Sequence, residues 1–374
     1  MHPVRAAFVM EQTLGHVTHS QNLRAVVDEH PDVAPSWLPV PFEMSGPARF
    51  VPLLRSNWSV RASWRARRAL GAVLAQRPHD ALFFHTQVTS LFSVGLMRQY
   101  PAVISLDATP INYDSVGAAY SHAPAGDGFL DRQKYQLNRR AFAAATYLVA
   151  WSDWARRSLI ADYGVDPNVI HVLAPGASPA YFEIGTRRLT RVESVHRPRV
   201  LFVGGDFERK GGRVLLEAVA GLEDRCDVHL VTSAPVRPDR PHVFAHPGLG
   251  PNSPELLAQF AQADVFVLPS RAECLAVALM EATAAGLPVI TTTVGALGEA
   301  VSAEPSGLLV PVDDAVALRA ALEALLTDAP RRRRMGRAGH ALARRKFDAQ
   351  RNDRALLDLV VAAAQAGPAL RRTA

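Results

Sequence analysis

The stretch from Asp264 to Thr293, DVFVLPSRAECLAVALMEATAAGLPVITTT, constrains this chain more than any other. It opens on an apolar run, Asp264 to Leu268, of the length and composition of a buried strand, and turns at Pro269 and Ser270. A helix is expected from about Leu275 to Ala285. Gly286 stands where a helix C-terminus takes a left-handed residue, and Pro288 leads into a second strand, Val289 to Thr292. This is a strand–helix–strand unit carrying two acids, Glu273 just before the helix and Glu281 two turns inside it. Eight helical positions span roughly 12 Å at 1.5 Å per residue. Between the acids, the N–H groups at the helix start, about Cys274, Leu275 and Ala276, have no intrahelical acceptor and form an anion site.

The same alternation runs through the rest of the chain. Strands are expected at Arg5–Met10, Ala81–Phe84, Ala102–Leu106, Thr146–Ala150 and Val169–Leu173, with helices at Ser20–Glu29, Ser59–Gln76, Thr89–Gln99, Leu130–Ala144 and Ser152–Tyr163. A second series follows, with strands Val200–Val203, Val228–Val231, Val265–Leu268 and Val289–Thr292. Its helices are Gly212–Leu222, Pro254–Ala263, Leu275–Ala285 and Asp314–Leu326. Such alternation predicts α/β domains with parallel sheets covered on both faces. A length of 374 residues fits two of them, over 1–185 and 198–347, and the charged, apolar-poor stretch Ile184–Pro198 is the best linker candidate.

Composition removes several classes. A hydrophobic share of 48% describes a globular chain, and no apolar run reaches the roughly 18 residues of a membrane span. The N-terminal MHPVRAAFVMEQTLGH turns polar too soon for a signal peptide, and two cysteines, Cys226 and Cys274, make no disulfide framework. A cytoplasmic location is the resulting expectation. The net charge of +6 sits largely in arginine clusters at 61–68, 187–199 and 331–346. These read as solvated helix faces and linkers or as contacts for phosphorylated ligands and anionic lipid. With no zinc spacing and no aromatic–basic RNA signature, nucleic acid is not an expected partner.

The E-x7-E spacing, with Pro269-Ser270 before it and G-L-P-V-I after it, resembles the signature of family 4 glycosyltransferases of the GT-B fold. The resemblance implies two Rossmann-like doubly wound domains facing across a cleft, the last segment, 348–374, returning to the first domain through a helix bearing Leu356, Leu357, Leu359 and Val360. It implies a retaining transfer of sugar from a nucleoside-diphosphate-sugar, UDP- or GDP-linked, to a hydroxyl acceptor such as a glycan, lipid-linked glycan or small molecule. Glu273 would contact the transferred sugar and Glu281 the ribose. The second half opens LFVGGDFERKGG, which matches the family's strand, glycines and basic pair. Gly204 and Gly205 would line the donor, and Arg209 and Lys210 would neutralise the diphosphate as the sugar–phosphate bond breaks. Where many members carry an arginine after the strand glycine, this chain has Gly205.

In the first domain the resemblance carries Gly15, in E-Q-T-L-G-H-V-T, to a donor-facing loop, where the absence of G-x-G-x-x-G counts against a dinucleotide oxidoreductase. Glu11 and His16 are candidates to line the cleft, His16 reading equally as a helix-start histidine. Asp107, in LDATP, stands where many members have a histidine that contacts the sugar; an aspartate there fits a hydrogen bond to sugar or acceptor hydroxyl. His85 reads as a cleft residue or as a strand-end histidine. No Asp-x-Asp occurs, so no catalytic metal and no cofactor is expected. Trp58, Arg61, Trp64, Arg65, Arg67 and Arg68 open the segment 58–74. It reads as an amphipathic helix for peripheral contact with the inner face of a membrane, or as a core helix packing Leu70, Val73 and Leu74. A nucleotide-sugar epimerase on the same fold, and a relative that binds donor without turnover, are the other functional readings.

Overall fold

Alternating apolar runs and helices fold as parallel sheets because a strand feeding a helix must cross back before the next strand can pair. The computed structural model describes residues 2–13, 15–42, 57–117, 126, 128–191, 196–222, 224–236, 240–301 and 306–367. They divide between two compact units, one from 1–113, 124–174 and 350–374, the other from 114–123 and 175–349. The tail after Pro368, expected from its polarity to fray, lies outside the described residues.

In chain order the first unit contains β1 (Val4–Gln12), α1 (His16–Val27), β2 (Val33–Pro41), α2 (Trp58–Gln76), β3 (Ala81–His85), α3 (Val94–Met97), β4 (Ala102–Leu106), α4 (Pro110–Val116), α5 (Phe129–Ala144), β5 (Tyr147–Ala150), α6 (Asp153–Ala161) and β6 (Ile170–Val172). Its six strands are parallel in the order β2-β1-β3-β4-β5-β6, so the winding reverses between β1 and β3. One face packs Leu82, Phe84 and Ile104 against Ala62, Ala66 and Leu70 of α2 and Phe142 of α5. The other buries Phe8, Phe83 and Val103 with Leu23 and Val27 of α1. Leu356, Leu357, Val360 and Ala363, from the last helix of the chain, complete that second face. Each such large apolar side chain adds about 1.5–3 kcal/mol on burial.

The second unit runs α7 (Pro179–Thr190), β7 (Arg199–Val203), α8 (Gly212–Ala218), β8 (Asp227–Val231), β9 (Val243–His246), α9 (Pro254–Gln262), β10 (Val265–Leu268), α10 (Val277–Ala284), β11 (Val289–Thr291), β12 (Gly307–Leu309), α11 (Ala315–Leu326) and α12 (Ala329–Lys346); α13 (Ala349–Ala366) is the last helix already placed in the first unit. The order β12-β11-β10-β7-β8-β9 reverses between β7 and β10. Both units are therefore doubly wound, as the alternation predicts.

Several caps match their sequence signals. Ser152 accepts the N–H of Ala155 at 3.1 Å, Asp314 that of Ala317 at 2.8 Å, and Gly286 takes φ +69° after α10. Other expectations need correction. The helix expected over Thr89–Gln99 is broken into short turns and α3, because the Thr89 and Ser90 hydroxyls bond the carbonyls of Thr86 and Gln87, each at 2.8 Å. The strand β2, VAPSWLPVP, is not among the expected strands: its prolines are tolerated because it pairs only with β1, at the sheet edge. The linker candidate Ile184–Pro198 begins inside α7, which packs on α9, α10 and α12. The reason is Arg188, whose guanidinium donates to the carbonyls of Ala285 (2.9 Å), Ala263 (2.6 Å) and Phe260 (2.6 Å) at the ends of α10 and α9. A cation at two helix C-termini meets both unpaired carbonyls and the negative end of each dipole. Arg188→Met should lower the unfolding free energy by about 3 kcal/mol, read from urea melts, since those carbonyls lose their donor in a largely dry setting.

Candidate active site

At the carboxyl ends of β7 and β10, where the second sheet reverses its winding, the chain brings Arg209, Lys210 and Glu273 together. This is the position at which open α/β sheets bind ligands. The Lys210 ammonium donates directly to Glu273 Oε2, and Arg209 Nη1 lies 3.6 Å from the same oxygen. Arg209 is buried and much of its guanidinium is committed to the fold. It donates to the Ala272 carbonyl at 2.9 Å and to Asp206 at 3.2 Å. Burial, and then the neighbouring Arg209, push the Lys210 ammonium below its ordinary range, while Asp206 pulls the other way.

Two glycines set this geometry. Gly211 has φ +80°, and a Cβ there would stand 2.0 Å from the Pro269 carbonyl oxygen; Gly295 has φ +55°, with 1.9 Å to the carbonyl of Glu273. Only glycine lets these segments close on the loop that carries Glu273. Gly204 follows β7 with Lys210 packed over it, a Cβ meeting Lys210 Cγ at 2.9 Å, while the Gly205 carbonyl accepts the Ser233 hydroxyl at 2.9 Å.

The same close approach corrects one expectation. The helix starts at Val277, not Leu275, with Ala276 as its N-cap in extended conformation. Cys274 and Leu275 lie before it, and the Cys274 carbonyl accepts the N–H of Ala296 at 2.8 Å. Residues 273–276 are thus held alongside 294–296, so the helical span expected between the acids does not apply. Glu281 lies inside α10, buried at 4% exposure. Burial raises its carboxyl to about 7, against the smaller opposing effect of Tyr181. Tyr181, fully buried, sits beside it. Nothing in the local sequence singles out Tyr181.

In the first unit the reversal between β1 and β3 carries a second polar cluster. Glu11 lies at the end of β1, His16 opens α1 and Asp107 follows β4. His16 lies between the two acids, Nδ1 3.6 Å from Glu11 and Nε2 3.5 Å from Asp107. Burial alone would lower the imidazole, but Asp107 and then Glu11 outweigh it and hold His16 protonated, up to about 10. Burial would raise Glu11; His16, Thr86 and Thr13 outweigh it and bring Glu11 down to about 2. Thr86 donates to Glu11 at 2.5 Å, Thr13 at 2.8 Å and the Trp58 indole at 2.9 Å. No spacing in the sequence signals this fixing of Glu11, since two of its donors come from distant segments.

His85 does not line a surface. It is fully buried, stacked on Trp151 at 5.5 Å and 3.0 Å from His19 Nδ1; burial and the neighbouring His19 and His16 hold it well below the usual range. His19 Nε2 in turn lies 3.4 Å from the buried Asp353 of α13. Gly15 is the N-cap of α1 with φ −65°, a conformation open to any residue. The segment 58–74 packs as the core-helix reading expects: Leu70 is buried and Val73 and Leu74 pack on the core. Trp58 is turned to Glu11, and Arg61 is buried over the rings of Trp58 and Phe42, whereas Trp64 is exposed. Among the described residues no helix is long and apolar enough to cross a membrane, and no three metal-ligating side chains converge.

Two results follow from these charges. The His16 imidazolium should persist above about pH 8 in side-chain NMR, and Asp107→Asn should lower its midpoint by more than about one unit. For Glu281 the folded value is raised, so its stabilising contribution is complete below about 4.5 and lost as pH rises through about 7. Between about pH 5 and 8 the wild-type chain should therefore lose roughly 2 kcal/mol relative to Glu281→Gln in denaturant melts.

Alongside this geometry, residues 197–328 match the family model described as Glycosyl transferases group 1. The chain is 31% identical over 270 residues to a D-inositol 3-phosphate glycosyltransferase of Corynebacterium diphtheriae, covering 64% of this chain and 63% of that protein. It thus spans less than two thirds of that relative's length, and 52% of a second with the same name from Corynebacterium aurimucosum. Among solved structures, sucrose-phosphate synthase from Thermosynechococcus elongatus superposes with TM-score 0.72 at 18% identity, over 95% of this chain and 98% of that one. HepE of Anabaena, in complex with UDP-glucose, superposes with TM-score 0.65 at 15% identity over 96% and 99%. Both show the fold, the GT-B class of two doubly wound units that the resemblance implies.

Proposed function

We propose that this chain, whose residues 197–328 match the family model described as Glycosyl transferases group 1, is a retaining, metal-independent glycosyltransferase that moves a sugar from a nucleoside-diphosphate-sugar to a hydroxyl acceptor. The contact of Lys210 and Arg209 with Glu273 at the β7/β10 reversal is the observation that carries this reading. It supports a role for Lys210 in neutralising a leaving diphosphate and for Glu273 in accepting hydrogen bonds from sugar hydroxyls. When donor binds, Lys210 exchanges its partner Glu273 for a phosphate oxygen, which frees Glu273 to accept from the sugar. The bond from the anomeric carbon to phosphate oxygen breaks, with its electron pair passing to the diphosphate, which Lys210 stabilises. The acceptor oxygen bonds the same face of the anomeric carbon, and its proton goes to the departing diphosphate.

Arg209 acts chiefly through the fold, holding the Ala272 carbonyl and hence the Glu273 loop. Glu281 holds ribose hydroxyls. Asp107, oriented by His16 and Glu11, accepts the hydrogen bond of a sugar or acceptor hydroxyl in place of the family histidine. The names of the relatives support a polyol acceptor, and those of the solved neighbours a UDP- or ADP-sugar donor beside the GDP-sugar alternative. Any membrane association would run through the outward Trp64, Arg65, Arg67 and Arg68 of α2, since Trp58 and Arg61 point inward.

A thermal-shift screen with UDP-, GDP- and ADP-sugars should single out the donor by its rise in melting temperature, because only the folded chain binds it. With that donor, Lys210→Ala should lower turnover by roughly 10²–10³-fold while the protein stays folded by circular dichroism. Full turnover in that variant removes Lys210 from the mechanism.

A further inference from the structure

The rim at the carboxyl ends of the second sheet extends beyond Lys210 and Glu273. There β7 is followed by Gly204 and Gly205, β8 by Thr232 and Ser233, and β9 ends on His246. On the β11 side the rim is filled. Residues 294–296 lie against 273–276, and a Cβ on Gly295 would stand 1.9 Å from the Glu273 carbonyl oxygen. On the β8 side it is cleared: Gly205 is exposed, and a Cβ there would meet only the Ser233 hydroxyl, at 3.3 Å. A ligand gripped at Lys210 therefore has room toward β9, two strand spacings or roughly 10 Å away.

His246 ends a chain of side chains whose proton positions follow from chemistry. Arg199, the first residue of β7, reaches His229 Nε2 with Nε at 3.0 Å and Nη2 at 2.8 Å, closer than its 3.3 Å approach to Nδ1. A guanidinium only donates, so His229 Nε2 holds a lone pair. Burial and then Arg199 lower both imidazoles, His229 to about 4, so at about pH 7 each ring carries one proton. That of His229 is on Nδ1, which lies 2.9 Å from His246 Nε2 and donates to it. His246 is left with its own proton on Nδ1, and no described residue accepts it. The rings are fixed as well: His229 stacks on Phe244 at 5.0 Å and 23° and on His246 at 5.1 Å and 11°.

We propose that His246 is a specificity-determining residue, an assignment that rests on the donor reading above: its Nδ1–H donates to a ring carbonyl of the base and selects uracil or guanine over adenine. Guanine presents O6, and uracil an O4 like that of thymine, where adenine and cytosine carry amino groups that donate. Against those amino groups the imidazole N–H meets another donor, and a polar group left unpaired on binding costs more than a hydrogen bond gains. Arg199 and His229 are positioning residues, acting through the single proton pattern they impose on His246.

UDP, CDP, GDP and ADP titrated calorimetrically are the probes. The wild-type chain should bind UDP over CDP, or GDP over ADP, by at least about ten-fold. His246→Asn keeps an N–H donor at the place of Nδ1 and should keep that ratio. His246→Phe keeps a stacked ring without the donor and should bring the ratio to within about two-fold. A residue that only packs on His229 gives the reverse order, phenylalanine retaining the ratio and asparagine losing it, and that result overturns the proposal. So does equal affinity for the keto and amino member of each pair in the wild-type chain, a comparison that needs no variant to fold. Either outcome leaves the donor reading standing, whereas a wild-type chain that binds none of the four nucleotides removes both.

Discussion

The contact between Lys210 and Glu273 is the constraint on which the second unit's site depends. Two opposite charges withdrawn from water at the ends of neighbouring strands cost several kcal/mol of solvation each, which a single ion pair scarcely recovers. Such a pair adds little net stability, and it persists here because Gly211, Gly295 and Arg209 hold the two loops together around it. What the arrangement provides is a preset cationic point in a dry setting, where on the proposed reading an arriving diphosphate would take the place of Glu273 as its anion.

The first unit solves the same electrostatic problem differently. There the half-buried cation is an imidazolium flanked by two carboxylates, and one of these, Glu11, is saturated by donors from Thr13, Thr86 and Trp58. A carboxylate so fully engaged is a fixed charge and not a proton carrier. Asp107, at the partly exposed end of the row, is the member left facing outward. Where the resembled family often has a histidine, this chain has Asp107, and His16 at the start of α1 lies 3.5 Å from it; on the proposed reading the pair offers both a donor and an acceptor.

Much of this architecture is legible in the amino-acid sequence. Uninterrupted Val, Ile, Leu and Phe runs between helical stretches identify buried parallel strands, and the acids, glycines and basic pair next to them are read from spacing. Elements whose stability comes from outside themselves are not legible in that way. The proline-rich β2 exists because β1 offers it an edge, and α7 is fixed by a single arginine bonded to carbonyls of other helices. Tyr181 beside Glu281, and His19 between His85 and Asp353, leave no local pattern because their partners are distant in sequence. The start of α10 departs from its expected place for a related reason: Gly295 and Ala296 hold residues 273–276 outside the helix although their own composition favours one.

The contribution of α13 to the first unit has a consequence for how the protein is made. One face of the first sheet is closed by Leu356, Leu357, Val360 and Ala363, and Asp353 supplies the buried partner of His19. During synthesis those residues leave the ribosome only after the entire second unit has emerged. The earlier-made half must therefore wait with an uncovered apolar sheet, whereas the later-made half can finish its own core first, and the order of completion inverts the order of translation.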